Sequence, residues 1–154
     1  MNGNFGTLIQ ECAGLHALGP KYVDRLAAAA SPARFELREI IVRAEDPADE
    51  FYLLRSGRVA IEIFTHDRGP VTIQTVAPGE ILGWSWLVPP YRWHFDAQAI
   101  ELTEAIAFDA RQVREVCSED PEFGYALLRC FVPLIVARLQ ATHMQLLDVY
   151  HARA

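Results

Sequence analysis

DPADEFYLLRSGRVAIEIF, residues 46–64, has the clearest secondary-structure pattern in the chain. It consists of two short runs rich in Phe, Tyr, Leu, Ile and Val, separated by a turn signal at residues 56–57. In the second run, Val59, Ile61 and Ile63 alternate with polar or small residues, which predicts a strand with one face toward a core. The stretch therefore predicts two antiparallel strands joined by a short turn.

Similar short apolar runs continue on both sides of residues 46–64. The further runs are ARFEL, EIIVRA, VTIQTVA, EILGW, FDAQAIE and TEAIAFD. Turn residues separate them, which predicts a meander of antiparallel strands with a turn at Glu101–Glu104. About eight short strands predict a mainly β fold, an antiparallel barrel or jelly roll (double-stranded β-helix), over residues 33–109.

Helical spacing replaces the strand pattern at both ends of this single domain, residues 1–154. Residues 1–32 predict entry helices that break at residues 19–20 and end at residues 31–32. Residues 110–154 predict a short helix and then a long C-terminal helix, which starts at Pro121 after Ser118 or Asp120. Pro133 predicts a kink or a break of the long helix near residues 129–132.

The long helix has a heptad seam with one polar member. Its residues follow alternating steps of four and three: Leu128, Val132, Ile135, Leu139, Thr142, Leu146 and Val149. Such a seam normally meets another helix. Packing within the molecule would satisfy it, and so would a homodimer with twofold symmetry, which is our expectation.

Composition narrows the classes of function. A net charge of −6 with 14 scattered Lys and Arg residues argues against direct nucleic-acid binding, which needs clustered cations. No apolar run approaches a membrane span and no signal peptide is recognisable, so we expect a cytoplasmic protein. Cys12, Cys117 and Cys130 lack a CxxC spacing and predict buried, reduced thiols.

Residues 46–64 resemble the signature of the cyclic-nucleotide-binding domain family, which includes bacterial catabolite activators and the regulatory subunits of cyclic-AMP-dependent kinase. The Asp-Pro-Ala-Asp turn, Phe-Tyr and Ser-Gly-Arg-Val stand at the family's spacing. VAPGEILG, residues 76–83, is similar to the strand and turn before the family's phosphate-binding cassette. The segment ARLQAT, residues 137–142, is similar to a part of the catabolite activator's dimer helix that reaches the nucleotide base.

The resemblance implies a ligand site in residues 83–96. Family members hold the cyclic phosphate with an Arg, a hydroxyl and backbone N–H groups, and bind the ribose with a Glu. At the family's spacing Gly83 is the cassette glycine, while Trp84 stands at the Glu position, Trp93 at the Arg position and His94 at the Ser or Thr position. Glycines that the family has near Arg38 and at Glu45 are also absent, which predicts different turns there.

Eight residues are candidates for ligand contact. The set is Gly83, Trp84, Ser85, Arg92, Trp93, His94, Asp96 and Thr142. Arg92 stands one residue before the family's Arg position. His94 and Asp96 share one face of a strand predicted from Trp93 onward. If that face looks into the barrel, the two side chains are expected to bind an anion or a metal. If it looks outward, they are expected to form an ordinary surface pair. Gln98 lies on the same face, and its side-chain amide is expected to donate either to a ligand carbonyl or to the backbone.

The tryptophans have two interpretations. Trp84, Trp86 and Trp93 line a pocket for a flat ligand, or they fill the ligand space themselves. Tyr91 is a candidate loop lid.

The resemblance implies a stand-alone sensor or regulatory module, not an enzyme, with cyclic AMP as a possible ligand, no cofactor and a protein partner of unknown kind. The alternative is a degenerate barrel that binds no nucleotide and serves as a dimeric interaction module. A metal-dependent, cupin-like enzyme is a third possibility, which the missing HxH pattern disfavours.

Overall fold

The computed structural model describes residues 3–153 and contains two four-stranded antiparallel sheets with helices before and after them. The strands are Ala30–Phe35 (β1), Ile40–Val42 (β2), Glu50–Ser56 (β3), Val59–Thr65 (β4), Gly69–Val76 (β5), Ile81–Leu82 (β6), Asp96–Ala99 (β7) and Thr103–Asp109 (β8). Each corresponds to one apolar run of the sequence. The predicted mainly β jelly-roll fold with flanking helices is confirmed.

The order of the strands differs from the predicted meander. One sheet has the order β1-β8-β3-β6 and the other has the order β2-β7-β4-β5. Within residues 3–153, only β4 and β5 are neighbours both along the chain and in a sheet, so the meander prediction is wrong. The pairing of β1 with β8 joins the two ends of the strand region, which is the closure expected of a jelly roll.

Strand β4 is buried over only part of its length. Val59 and Ile61 are buried as predicted, but Ala60 is buried too, and Ile63 is 37% exposed. The alternation fails because β7 pairs with β4 only up to Glu62. Beyond that residue the β4–β5 hairpin extends past the core.

The entry region is shorter than predicted. It comprises Gly3–Glu11 (α1), the 3-10 helix Ala13–Leu18 (η1) and Pro20–Ala27 (α2), with Gly19 at φ 85° between the last two. Pro20 occupies the first turn of α2, as predicted. Residues 31–32 do not end a helix, because they lie in β1 and pair with β8. A proline fits there since β1 is an edge strand.

Two helices follow the sheets. The helix Ala110–Glu119 (α3) is capped by Asp109, whose side chain accepts from the Gln112 N–H at 3.1 Å. The helix Pro121–Arg153 (α4) begins after Asp120, which accepts from the Phe123 N–H at 3.3 Å. Helix α4 is continuous through Pro133, so the predicted break is absent from it.

Only the first half of α4 packs into the core. Phe123, Leu127, Cys130 and Phe131 are buried, whereas every residue from Leu139 to His151 is exposed. Burial raises the pKa of all three cysteine thiols, although Cys117 is only half-buried. The prediction of buried thiols therefore holds for Cys12 and Cys130 alone.

Candidate functional site

The segment from Gly83 to Asp96 crosses from one sheet to the other. It leaves β6 at Gly83, forms a single 3-10 turn at Ser85–Leu87 (η2), passes Tyr91 at φ 59° and enters β7 at Asp96. The strand expected from Trp93 onward therefore starts three residues later. Arg92 makes only an isolated bridge with Pro47.

Trp93 fills the space beside the cassette glycine. Its side chain is 3% exposed, and a Cβ placed on Gly83 would lie 2.6 Å from the indole Cη2. Gly83 also has φ 108°, a conformation that residues with a side chain rarely adopt. The residue at the family's Arg position is thus an apolar side chain packed against the turn, which favours the self-filling interpretation.

Trp84 and His94 lie on the outer side of this segment. Their rings stack with centroids 5.2 Å apart, and His94 is exposed. The Ser85 hydroxyl, fully buried, is hydrogen-bonded to His94 Nδ1 at 3.0 Å. Trp84 is half-buried.

The polar set predicted for ligand contact instead contacts backbone. Arg92 Nη1 donates to the Glu45 carbonyl at 2.8 Å, and Gln98 Nε2 donates to the Arg38 carbonyl at 2.9 Å. Asp96 Oδ1 accepts from the Ala44 N–H at 2.7 Å. Neither alternative for His94 and Asp96, an inward-facing set or a surface pair, is seen, because His94 is exposed and each of the two side chains has a separate partner.

These contacts support two unusual turns. Arg38 has φ 73° and Glu45 has φ 76°, the left-handed conformation that glycine favours. The family resemblance places glycine near Arg38 and at Glu45, so a residue with a side chain carries the positive φ in each of these turns. Whether the turns differ from those of the family stays a prediction. Gln98 and Arg92 bind the carbonyls of these two residues, which helps to hold the strained conformation.

Arg114 of α3 contacts the Gly83–Asp96 segment, and the sequence did not reveal this contact. Its Nη1 donates to the Trp86 carbonyl at 3.1 Å and to the Ala48 carbonyl at 3.3 Å. Its guanidinium carbon lies 4.4 Å from the centre of the Tyr91 ring. Arg114 thus connects α3 to the segment at Trp86 and Tyr91, and to Ala48 before β3. No local motif marks this contact, because Arg114 sits in an ordinary amphipathic helix.

An aromatic cluster links the segment to α4. Phe51 stacks on Phe108 and on Trp86 at centroid distances of 4.7 and 4.5 Å, and Trp86 meets Phe131 edge-on at 5.3 Å. Trp86 is fully buried, and its Nε1 has no hydrogen-bond partner in the described part of the chain. Trp86 is therefore a core residue, not part of an open pocket.

Helix α4 contacts the sheets through two further side chains. Arg138 Nη2 donates to the Ile81 carbonyl at 3.0 Å, and Gln145 Nε2 donates to the Ile73 carbonyl at 2.6 Å. Ile73 is the extra residue of a β-bulge in β5, so its carbonyl is free for this contact. Thr142 is exposed, and its hydroxyl donates to the Arg138 carbonyl of its own helix at 3.0 Å.

The predicted seam is mostly exposed in the single chain. Leu128, Val132, Leu139, Leu146 and Val149 are 46–54% exposed, and Ile135 is half-buried.

The part of the chain that the structure describes has neither a candidate metal cluster nor a candidate membrane span. Residues 3–153 contain no group of three or more His, Cys, Asp and Glu side chains placed to hold a metal ion. No helix in this range combines the length and the apolar character needed to cross a membrane.

Comparison with known structures supports the fold. A cyclic nucleotide-binding domain from Methylobacillus flagellatus is 16% identical with a TM-score of 0.79, and the match covers 96% of this chain and 83% of that one. The sensor domain of the transcriptional regulator DNR from Pseudomonas aeruginosa is 18% identical with a TM-score of 0.71, covering 90% and 93%. The N-terminal domain of a transcriptional regulator from Streptomyces coelicolor is 21% identical with a TM-score of 0.68, covering 90% and 94%.

The sequence itself gives the family. No curated protein matches the chain. The family model described as "Cyclic nucleotide-binding domain" matches residues 32–120, which is more than half of the 154 residues and includes every strand from β2 to β8. The chain therefore belongs to the cyclic nucleotide-binding domain family.

Proposed function

We propose that this chain is a regulatory module of its family whose Gly83–Asp96 segment does not bind a cyclic nucleotide, and whose output element is α4. The observation that supports this most directly is the position of Trp93. Its indole lies against Gly83, at the position where the family resemblance calls for a phosphate-binding Arg. A buried indole offers a cyclic phosphate no positive charge.

Three other polar side chains of the segment that could contact a phosphate, those of Ser85, Arg92 and His94, already have partners. Arg92 is hydrogen-bonded to the Glu45 carbonyl, and the Ser85 hydroxyl to His94. Binding a phosphate there would require Trp93 to leave the core, at a cost of about 3 kcal/mol for exposing a large apolar side chain. It would also release Arg92 from a turn that holds Glu45 at φ 76°. These costs favour a closed segment.

The output is proposed to pass through α4. The aromatic cluster of Phe51, Trp86 and Phe131 connects the segment to the buried half of this helix. The apolar seam runs from Leu128 to Val149, through both halves of the helix, and a second copy of the chain would cover it, forming a homodimer. Binding of a regulated partner protein would then depend on the position of the two α4 helices. The proposal includes no catalytic step.

The competing hypothesis is a sensor in which the divergent segment still binds a cyclic nucleotide. Arg92 supports it, because this exposed cation stands one residue from the family's Arg position. A thermal-melting experiment with cyclic AMP and cyclic GMP separates the two hypotheses. Ligand at about 100 times its dissociation constant adds about 2.7 kcal/mol, which is roughly 5–10 °C for a domain of this size.

We expect no change in melting temperature with either nucleotide. A saturable increase of several degrees, lost in Arg92→Ala but kept in Arg68→Ala, would contradict the proposal and establish the sensor hypothesis. Arg68 is a suitable control because it is exposed in the β4–β5 turn, away from the segment.

A further inference from the structure

A cavity of about 640 Å³ lies between the entry region and α4. Its walls come from η1, from the turn before β6 at Gly79–Ile81, and from α4 between Arg129 and Arg138. None of the residues that line it belongs to the Gly83–Asp96 segment. Its volume falls within the range of roughly 300–1,000 Å³ that is usual for small-molecule sites.

Most of the cavity wall is apolar or small. Gly14 and Ala17 line it from η1, Ile81 from β6, and Leu134 and Ala137 from α4. The side chains of Ile81 and Leu134 lie 3.5 and 3.8 Å from the position that a Cβ on Gly14 would take. The space therefore suits a hydrocarbon or ring body better than a fully polar molecule.

The charged groups of the cavity are mainly cationic. Arg138 and Arg129 line it together with His16, against the single carboxylate of Glu80. This balance contrasts with the net charge of −6 of the whole chain.

Arg138 is the cation that most needs a partner. Its side chain is half-buried, and its Nη2 donates to the Ile81 carbonyl at 3.0 Å. Within residues 3–153, the Arg side chains that have a carboxylate oxygen within 4.0 Å are those of Arg25, Arg34 and Arg58, and Arg138 is not among them. Desolvation by burial lowers the pKa of Arg138, and Glu80 opposes this only in part. Glu80 itself accepts from the Ala77 N–H at 2.7 Å.

We propose that this cavity binds a small carboxylic acid with an apolar body, whose carboxylate pairs with Arg138. A guanidinium has five N–H donors in a planar fork, so Arg138 can keep its bond to Ile81 while it donates to a carboxylate. The apolar body would lie between η1 and α4. Because such a ligand touches both elements, it would change how α4 packs on the entry region, and α4 is the proposed output element.

Calorimetric titration of the full chain with decanoate, kept below its micelle concentration, tests this proposal. We expect saturable binding with one site per chain. Decanol has the same apolar chain without the charge and should bind at least about tenfold more weakly, since charge-assisted hydrogen bonds are the stronger class. Arg138→Gln should weaken decanoate binding by at least about tenfold, and Arg138→Lys should weaken it less.

A second variant separates the site from the structural role of Arg138. Ala137→Trp places a large side chain in the cavity and leaves Arg138 in place, so decanoate binding should be lost. Ala28→Trp, at an exposed position at the end of α2, is the matched control and should bind as the unaltered chain does. Absence of saturable binding, or equal binding in Ala137→Trp and Ala28→Trp, would overturn the proposal. Neither result depends on cyclic nucleotides, so it is distinct from a failure of the proposed function.

Discussion

Trp93, which packs against Gly83, stands where the family resemblance calls for an Arg. Gly83 is required twice, because its φ of 108° favours glycine and because a Cβ would meet the indole of Trp93 at 2.6 Å. The two requirements can be measured separately, since other glycines of the chain have positive φ in open space. Gly69, at φ 70° with nothing within 4 Å of its Cβ position, is one of them.

We expect Gly83→Ala to destabilise the fold more than Gly69→Ala. The Gly69 substitution should cost roughly 1–2 kcal/mol for the left-handed conformation alone. The Gly83 substitution adds the clash with Trp93, so the free energy of unfolding should fall further. In a Trp93→Ala background the cost of Gly83→Ala should fall toward that of Gly69→Ala, and the excess that remains reflects the larger φ of Gly83. Equal costs in the unaltered chain, measured by urea unfolding, would show that the indole does not press on Gly83.

Glu50 gives a prediction for pH. Desolvation by burial raises the pKa of Glu50, and the neighbouring carboxylates of Asp109 and Asp49 raise it further. A group whose pKa is higher in the folded state binds its proton more tightly there, so its stabilisation is present at acid pH and lost as pH rises through the folded pKa. The ionised Glu50 carboxylate therefore lowers the free energy of unfolding at neutral pH.

We expect Glu50→Gln to raise the melting temperature at pH 7 and to leave it unchanged at a pH below the ordinary Glu pKa. Glu115→Gln, at an exposed position of α3, is the matched control, and the pH-dependent gain should be specific to position 50. A gain of the same size at both pH values would show that the carboxylate charge is not its cause.

At the residue scale the sequence predicted the segment but not the directions of its side chains. The sequence grouped Arg92, His94 and Asp96 as a candidate ligand set, with Gln98 on the same face. In the structure Arg92, Asp96 and Gln98 instead bind backbone around Arg38 and Glu45. That role depends on turns more than fifty positions away for Asp96 and Gln98, which no local spacing reveals. The contacts of Arg114 could not be predicted for the same reason, because its partners lie in distant parts of the chain.

At the scale of elements the strands were predictable and their order was not. Period-two apolar runs bounded by turn residues mark each strand directly, as in residues 46–64. Periodicity carries no information about which strands pair, and a meander is the simplest arrangement of consecutive antiparallel strands. The jelly-roll order comes from long-range pairs such as β1 with β8.

Helix α4 shows how packing overrides a local signal. Pro133 lacks an N–H and its ring crowds the preceding turn, which normally kinks or breaks a helix. The helix nevertheless continues, with Phe131 and Leu127 buried on one side and Arg138 and Gln145 anchored to the sheets on the other side of Pro133. These contacts hold the helix together across the proline.

We expect Pro133→Ala to stabilise the chain by about 1–3 kcal/mol, since proline is roughly 3 kcal/mol worse than alanine inside a helix and the gain is partly offset in the unfolded chain. Pro133 is exposed, so few packing contacts are lost. Val136→Ala, at another exposed position, controls for helix propensity and should gain only a few tenths of a kcal/mol. Circular dichroism during urea unfolding measures both, and an unchanged or lower stability in Pro133→Ala would contradict the prediction.

At the scale of the whole molecule, the two halves of α4 have different surroundings. The first half belongs to the core and is linked to the Gly83–Asp96 segment through Trp86 and Phe131. The second half, from Leu139 onward, is exposed and still has apolar residues at a heptad spacing. An exposed apolar stripe on a helix joined to a rigid core is the arrangement that a parallel helix pair between two copies would use.

We expect the chain to be a homodimer that depends on this stripe. Light scattering coupled to size exclusion should give about twice the chain mass of 17.3 kDa. Leu139→Asp places a charge in the centre of the seam and should produce monomers, because a buried unpaired carboxylate in a helix pair is strongly unfavourable. Met144→Asp is the matched control, since Met144 is 62% exposed on the same helix but lies outside the seam, and it should remain dimeric. A monomeric mass for the unaltered chain, or equal dissociation of both variants, would refute the seam as a dimer interface and direct attention to a different protein partner for α4.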